Sequence, residues 1–115
     1  MPGAVRPRDR RLHQGWQFRE VYQSGKSIHG SLMTLVSMPR SSDHGRTAFV
    51  ASRRVGPAVR RNRAKRLLRE AFRKVSPGVR DRSTWRVWIA RSACSIATFE
   101  DVSAEMNDLL RREPA

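Results

Sequence analysis

The stretch between Gly56 and Ser76 divides into an apolar side and a basic side when it is drawn as a helix. At about 100° per residue, one arc of the helix collects its small and apolar residues: Ala64, Leu67, Leu68, Ala71 and Val75. The opposite side and one flank collect polar and basic residues: Asn62, Arg66, Arg69 and Arg73, with Arg61 and Lys65 on the flank. Gly56-Pro57 predicts the start of the helix, and Ser76-Pro77-Gly78 predicts its end. The pattern therefore predicts one amphipathic helix whose apolar side packs on a sheet.

The charge on this helix is strongly one-sided. Between Arg53 and Lys74, ten Lys or Arg residues accompany one acid, Glu70. Arg61 and Lys65 are one of several like-charged i,i+4 pairs, and each such pair costs roughly 0.2–0.5 kcal/mol in isolation. A solvated surface helix normally mixes charges of both signs to limit this repulsion. We therefore interpret the basic side as a binding face for a polyanion, with nucleic acid favoured over a merely solvated face.

Composition sets the class of protein. The chain has 115 residues, a formal net charge of +14 and 24 cations, of which 21 are Arg. Arg suits bidentate phosphate contacts, although a GC-rich genome would explain the bias equally well. Cys94 is the single cysteine, so no intramolecular disulfide can form. The chain length predicts a single domain over residues 1–115. No apolar run is long enough to span a bilayer and no signal peptide is recognisable, so we expect a cytoplasmic protein with no membrane partner.

The remaining periodicities predict an α+β fold. A short helix spans Gln14–Ser24, and a closing helix begins after Thr98, with Asp101 in a variant of the capping box. Predicted strands are Leu32–Met38, Thr47–Ser52 and Thr84–Ala90, with a possible short strand at Ile28–Gly30. Residues 1–13 are predicted to be a flexible basic arm whose end is tied down by Leu12. We predict a two-layer α/β sandwich with a mixed sheet of about four strands and three helices.

Phe18 and Tyr22 lie one helical turn apart and share one side of the first predicted helix. Periodicity alone favours the interpretation that they face the core. They could instead form a stacking platform for unpaired bases. Neither composition nor spacing separates these two roles. Whether Trp16 and Trp88 are buried or exposed is also left open.

No arrangement of residues predicts a protein active site. His13, His29 and His44 share no spacing, so surface positions are favoured for each. Glu105 and Asp108 lie i,i+3 and could in principle hold a metal ion, but no His joins them, and an exposed polar face is favoured. No phosphate-binding Gly loop or nucleophile motif is present. If the protein takes part in catalysis, we expect another molecule to carry the chemistry.

The basic segment closely resembles the signature of the bacterial ribonuclease P protein component. The resemblance rests on Ser52-Arg53-Arg54-Val55-Gly56 followed by Val59 to Arg73, with Arg61-Asn62-Arg63 as its most specific part. It extends upstream to Arg11-Leu12, Phe18, Val21-Tyr22 and Gly25, and downstream to Ile89-Ala90-Arg91 and the closing helix. Nearly the whole chain is covered in the right order.

The resemblance implies a small basic subunit of ribonuclease P. Its partners would be the catalytic RNA, which holds the active site, and precursor tRNA, with no protein partner required. The holoenzyme would remove the 5′ leader of precursor tRNA by Mg²⁺-dependent hydrolysis, with Mg²⁺ held mainly by the RNA and substrate. The family fold also implies a left-handed βαβ crossover around the basic helix, against the general right-handed preference.

The resemblance also implies roles for individual residues. Those expected to contact the catalytic RNA are Arg53, Arg54, Arg61, Asn62, Arg63, Lys65, Arg66, Arg69 and Arg73. Those expected to contact the leader are Phe18, Tyr22 and Val36, and this favours stacking for the two aromatic residues. Arg53-Arg54 stand where the family often has Lys-Lys, which keeps the charge. Val36 stands where some members have an aromatic residue, so its contact with the leader is the least supported of the set.

Two other functions fit the residues without the resemblance. A structural RNA-binding protein of ribosomal type would share the basic helix and the α+β layout. A DNA-binding module would use the helix in the major groove, but no helix-turn-helix or zinc-finger pattern supports it. The identity of the RNA that copurifies with the protein would separate the first alternative from a ribonuclease P subunit.

Overall fold

The computed structural model describes residues 11–12, 14–40, 45–78 and 83–113. These residues form three α-helices and four strands, as predicted. The helices are α1 (Gly15–Ser24), α2 (Ala58–Val75) and α3 (Phe99–Arg111). The strands are β1 (Lys26–His29), β2 (Met33–Pro39), β3 (Arg46–Ala51) and β4 (Thr84–Ala90). Most of the predicted arm, residues 1–10 and 13, lies outside the described residues, as do His13 and His44.

The four strands form one mixed sheet in the order β1-β2-β4-β3. The β1/β2 and β2/β4 pairs are antiparallel, whereas β3 and β4 are parallel neighbours. Parallel neighbours need a crossover connection, and α2 lies within it. This confirms the α+β class and the mixed sheet. The left hand of the crossover stays a prediction from the resemblance.

One face of the sheet is closed by α2 and α3. The predicted apolar arc of α2 is buried there through Ala64, Leu67, Leu68 and Ala71. It packs with Met33, Leu35, Trp88 and Ala90 from the strands and Val102, Met106 and Leu109 from α3. Trp88 is fully buried, which settles its position. We call this side of the sheet the closed face.

Of the described helices, α1 is the one that covers the other face of the sheet. Val21 of α1 packs there with Val36, Met38, Trp85 and Val87, and Leu12 joins the same cluster. Leu12 is buried and its backbone N–H donates to the Thr47 carbonyl at 3.1 Å, which confirms that the end of the N-terminal segment is tied down. Because Phe18, Val50 and Ile89 are only partly buried here, we call this side the open face.

Glu105 of α3 fastens the turn between β1 and β2, contrary to its predicted place on an exposed polar face. Its Oε1 accepts from the Ser31 backbone N–H at 3.0 Å and the Ser31 hydroxyl at 2.7 Å. Its Oε2 accepts from the backbone N–H groups of Leu32 at 2.8 Å and Met33 at 3.0 Å. Helical spacing alone placed Glu105 on the same exposed face as Asp108. Its contact with the β1–β2 turn depends on the tertiary structure, which helical spacing does not show. Asp108 stays at the surface, beside Arg112 at 3.6 Å.

The C-terminal end of α3 is held by a buried ion pair. Arg86 of β4 donates to both carboxylate oxygens of Glu113, each at 2.8 Å. The Arg86 side chain is only 4% exposed, so one of the cations counted in the net charge is used inside the fold. Burying Arg without such a bidentate partner would be strongly unfavourable.

Candidate nucleic-acid interface

The outward side of α2 presents the polar residues that the helical angle predicted. Asn62, Arg66, Arg69 and Arg73 are all exposed, and they project away from the buried arc. The helix has no acid in its first turn and no side-chain hydrogen bond at its N-cap, Pro57. Its N-terminus therefore adds partial positive charge to the same end of the surface. From Asn62 to Arg73 this side extends over about three helical turns, with the exposed Glu70 as its one acid, and it suits a phosphate backbone.

The two flanks of α2 are partly engaged inside the protein. Arg61 donates to the Gly56 carbonyl at 3.0 Å, and Arg63 donates through Nε to the Ser95 carbonyl at 2.7 Å. On the outward side, the guanidinium of Arg69 reaches back to 6.0 Å from the ring centroid of Phe49. These contacts hold the guanidinium groups in place before any ligand arrives. Arg61 and Arg63 thus have a structural role that the sequence did not reveal, alongside the predicted contact with RNA.

Arg53 and Arg54 lie between the end of β3 and the start of α2. They form a 3-10 turn, Arg53–Val55, directly after β3, and both are exposed. Because β3 and β4 are parallel, Arg91 leaves the sheet at the same edge. Gly56 ends the turn with φ of 134°, a conformation that favours glycine. The turn thus places two predicted RNA-binding cations at the carboxyl edge of the sheet.

A row of partly exposed residues crosses the open face near that edge. His29 pairs with Thr34, Thr34 with Ile89, and Ile89 with Val50, one residue from each strand. The next row, which includes Val36, Val87 and Ala48, is buried. We call the four residues His29, Thr34, Ile89 and Val50 the open row.

Phe18 and Tyr22 stand on the flank of α1 that faces the open row. Their ring centroids are 6.2 Å apart, and Tyr22 is 49% exposed. The opposite flank carries Trp16, which contacts Trp85 at the other end of β4, whereas Phe18 packs against the same cluster as Ile89. Partial burial raises the pKa of the Tyr22 hydroxyl above its ordinary value. The result is a groove with two aromatic rings on one wall and a half-open sheet as its floor.

Val36 lies in the floor under α1 rather than on the surface of the groove. It is 4% exposed and belongs to the cluster formed by Val21, Met38 and Val87. A Cβ at Gly25 would come within 3.1 Å of its side chain, so the end of α1 sits directly over it. In this structure Val36 offers almost no surface to a ligand, and its part is to support the wall that carries Phe18 and Tyr22.

Sequence reasoning overlooked three features of the open face. Trp16 is 45% exposed and lies on α1 beyond the groove. Thr34 and Ile89 contribute to the open row although their strands had been read only as sheet formers. Strand alternation does place Ile89 on one face with Trp85 and Val87, but nothing in it shows which end of the strand α1 leaves uncovered.

The Ribonuclease P family model matches residues 7–113. The chain belongs to the ribonuclease P protein family. It is 34% identical over 110 residues to the ribonuclease P protein component of Clostridioides difficile strain 630, covering 91% of this chain and 92% of that one. It is 35% identical over 105 residues to the protein component of Chloroflexus aggregans, covering 91% and 78%. The RNase P protein from Thermotoga maritima superposes with a TM-score of 0.78 at 29% identity, covering 91% and 98%.

Family membership favours a ribonuclease P subunit over a structural protein of ribosomal type. RNA binding and tRNA processing fit the family, and the ribonuclease P RNA is the partner. None of the described helices is both long enough and apolar enough to cross a membrane.

Proposed function

We propose that this ribonuclease P protein binds the catalytic RNA through α2 and holds the 5′ leader of precursor tRNA in the groove beside α1. By holding both, it promotes Mg²⁺-dependent hydrolysis of the phosphodiester bond that joins leader and tRNA, and it does so in the cytoplasm. The observation that carries the proposal is the separation of two surfaces suited to two forms of RNA. The α2 surface is cationic, whereas the groove has exposed aromatic rings above an apolar floor.

The α2 surface suits structured RNA because its contacts would be with phosphates. The predicted residues on it are the exposed Arg53, Arg54, Asn62, Arg63, Arg66, Arg69 and Arg73, with Arg61 and Lys65 partly buried on its flank. Each phosphate neutralised releases counterions, so the affinity should fall steeply with salt. Asn62 adds an amide that can both donate and accept hydrogen bonds among the cations.

The groove suits a single strand because unpaired bases can stack on Phe18 and Tyr22. Stacking of this kind contributes about 1–3 kcal/mol per base and tolerates different sequences. Arg53 and Arg54 lie at the carboxyl edge of the sheet, in the turn that joins β3 to α2. A strand leaving the groove in that direction would meet the surface that binds the catalytic RNA.

We assign the hydrolysis itself to the RNA. Among the described residues, no three His, Cys, Asp or Glu side chains come together as metal ligands. Glu105 is one of the two acids whose spacing would allow metal binding, and it already accepts four hydrogen bonds from the β1–β2 turn. Glu105 is thus already used within the fold, and we propose that phosphates of the RNA and substrate hold Mg²⁺. When bound there, Mg²⁺ can activate water and stabilise the developing charge.

The test of the α2 assignment is the affinity of the protein for ribonuclease P RNA as salt is varied. Arg66→Gln should reduce the affinity at every salt concentration and lower the log–log slope by about 1. Arg111→Gln removes another exposed Arg, on α3, and is the matched control. Equal effects of the two substitutions would show that net charge, rather than the α2 surface, determines binding.

A further inference from the structure

We propose that Trp16 and the Arg residues around it form a second contact for single-stranded RNA, on the flank of α1 opposite Phe18 and Tyr22. The inference rests on the proposed function, since its ligand is the part of the 5′ leader that extends beyond the groove. At about 100° per residue, Trp16 projects roughly 200° away from Phe18 around the helix. It therefore belongs to a different surface from the aromatic pair.

Trp16 is held ready for a stacking contact. Its ring is 45% exposed, whereas Trp85 and Trp88 are fully buried. The Trp16 ring centroid lies 5.9 Å from that of Trp85, and its Nε1 donates to Gln14 Oε1 at 2.6 Å. The Trp85 ring and the hydrogen bond to Gln14 hold the Trp16 ring in place. Little side-chain freedom would therefore be lost when a base stacks on it.

Two guanidinium groups lie over the ring of Trp85, the buried member of this aromatic pair. The Arg40 guanidinium lies 4.3 Å from the Trp85 ring centroid, and that of Arg46 lies 5.7 Å from it. Glu20 pairs with Arg40 at 3.5 Å and offsets part of this charge. An exposed ring beside guanidinium groups is the combination that single-strand-binding proteins use for sequence-tolerant recognition.

Arg19 connects this surface with the groove. It lies between Trp16 and Phe18 around α1, and its Nη1 would be 3.4 Å from a Cβ at Gly15. The guanidinium therefore folds back over the first turn of the helix, where glycine leaves room. A strand that leaves Phe18 and Tyr22 would meet this cation as it crosses α1 towards Trp16.

The experiment compares two leader lengths on the assembled holoenzyme. Precursor tRNAs with leaders of about 4 and about 16 nucleotides span the range of single-strand site sizes. Trp16→Ala should weaken binding of the long-leader substrate roughly tenfold, as expected for one lost stacking contact, and leave the short-leader substrate unchanged. Trp16→Phe should recover most of the affinity because it retains a ring. An equal loss on both substrates, or no loss on the long one, would overturn the proposal.

A second measurement uses the unmodified protein, in case Trp16→Ala disturbs the start of α1. Trp16 is the exposed tryptophan, so its fluorescence should be quenched by acrylamide in the free holoenzyme and protected by the long leader only. Protection by neither leader would overturn the proposal. Failure of the proposed function is distinguishable, because the unmodified holoenzyme would then show no protein-dependent binding of even the short-leader substrate.

Discussion

The closed and open faces of the sheet differ in how much of their apolar surface the helices cover. Two helices bury the closed face, and its central residues, such as Leu35, Trp88 and Met106, have no solvent exposure. A single ten-residue helix crosses the open face and leaves Val50 and Ile89 partly exposed. The same sheet thus supplies a core on one side and a ligand surface on the other. The difference teaches that apolar strand residues are available for binding only where the covering helix ends.

The largest expected effect is the difference in unfolding free energy lost when a side chain is truncated on the closed face or on the open face. Leu68→Ala on the closed face should cost about 3–5 kcal/mol, because it opens a cavity in a fully buried cluster. Ile89→Ala on the open face removes a side chain of the same size but should cost only about 1–2 kcal/mol, because part of that side chain already faces water. Urea denaturation with unchanged m values measures both. Equal losses would mean that Ile89 is buried as completely on the open face as Leu68 is on the closed face.

Substitution of Glu105 should cost more stability than substitution of Asp108, although the two acids are one turn apart on α3. Glu105→Gln keeps the shape but turns an amide donor towards backbone donors, and we expect a loss of about 2–4 kcal/mol. Asp108→Asn removes an exposed charge and should cost less than about 1 kcal/mol. Thermal unfolding of both variants tests the contrast. A Glu105→Gln protein as stable as Asp108→Asn would show that the turn does not depend on this carboxylate.

Tyr22 should affect binding more than stability. Because its ring is 49% exposed, Tyr22→Ala should lower affinity for a leader-containing substrate by about 1–2 kcal/mol while changing the free energy of unfolding by less. Tyr22→Phe keeps the ring and is the matched control. If the Phe variant binds as weakly as the Ala variant, the hydroxyl rather than stacking makes the contact.

A last effect, confined to alkaline pH, reports how well water is excluded from the closed face. Burial, with a smaller contribution from Glu105, raises the pKa of the Cys94 thiol from 9.0 to about 11. Between these pH values the unfolded thiol loses a proton that the folded protein keeps, so stability falls as pH rises. Cys94→Ala should lack this part of the alkaline loss. The measurement is the difference in unfolding free energy between the unmodified protein and Cys94→Ala, once below pH 9 and once near pH 11. The same difference at both pH values would contradict the raised pKa of the thiol.

The sequence predicted the elements whose pattern is periodic and local. The Thr84–Ala90 strand was predicted to the residue, and the buried arc of α2 matched the helical angle. Glu105 was misplaced because its partners lie more than seventy residues away along the chain. The role of Phe18 and Tyr22 could not be chosen from periodicity, since both a core face and a groove wall have i,i+4 spacing. Only the packing of α1 across the sheet shows which flank stays open.

The most direct test of the account is cleavage of precursor tRNA by a bacterial ribonuclease P RNA at low Mg²⁺, with and without the protein. We predict strong stimulation by the unmodified protein. We also predict that Phe18→Ala/Tyr22→Ala still binds the RNA but loses much of the stimulation. No stimulation by the unmodified protein, with the RNA folded and active at high Mg²⁺, would contradict the account and leave a general RNA-binding protein.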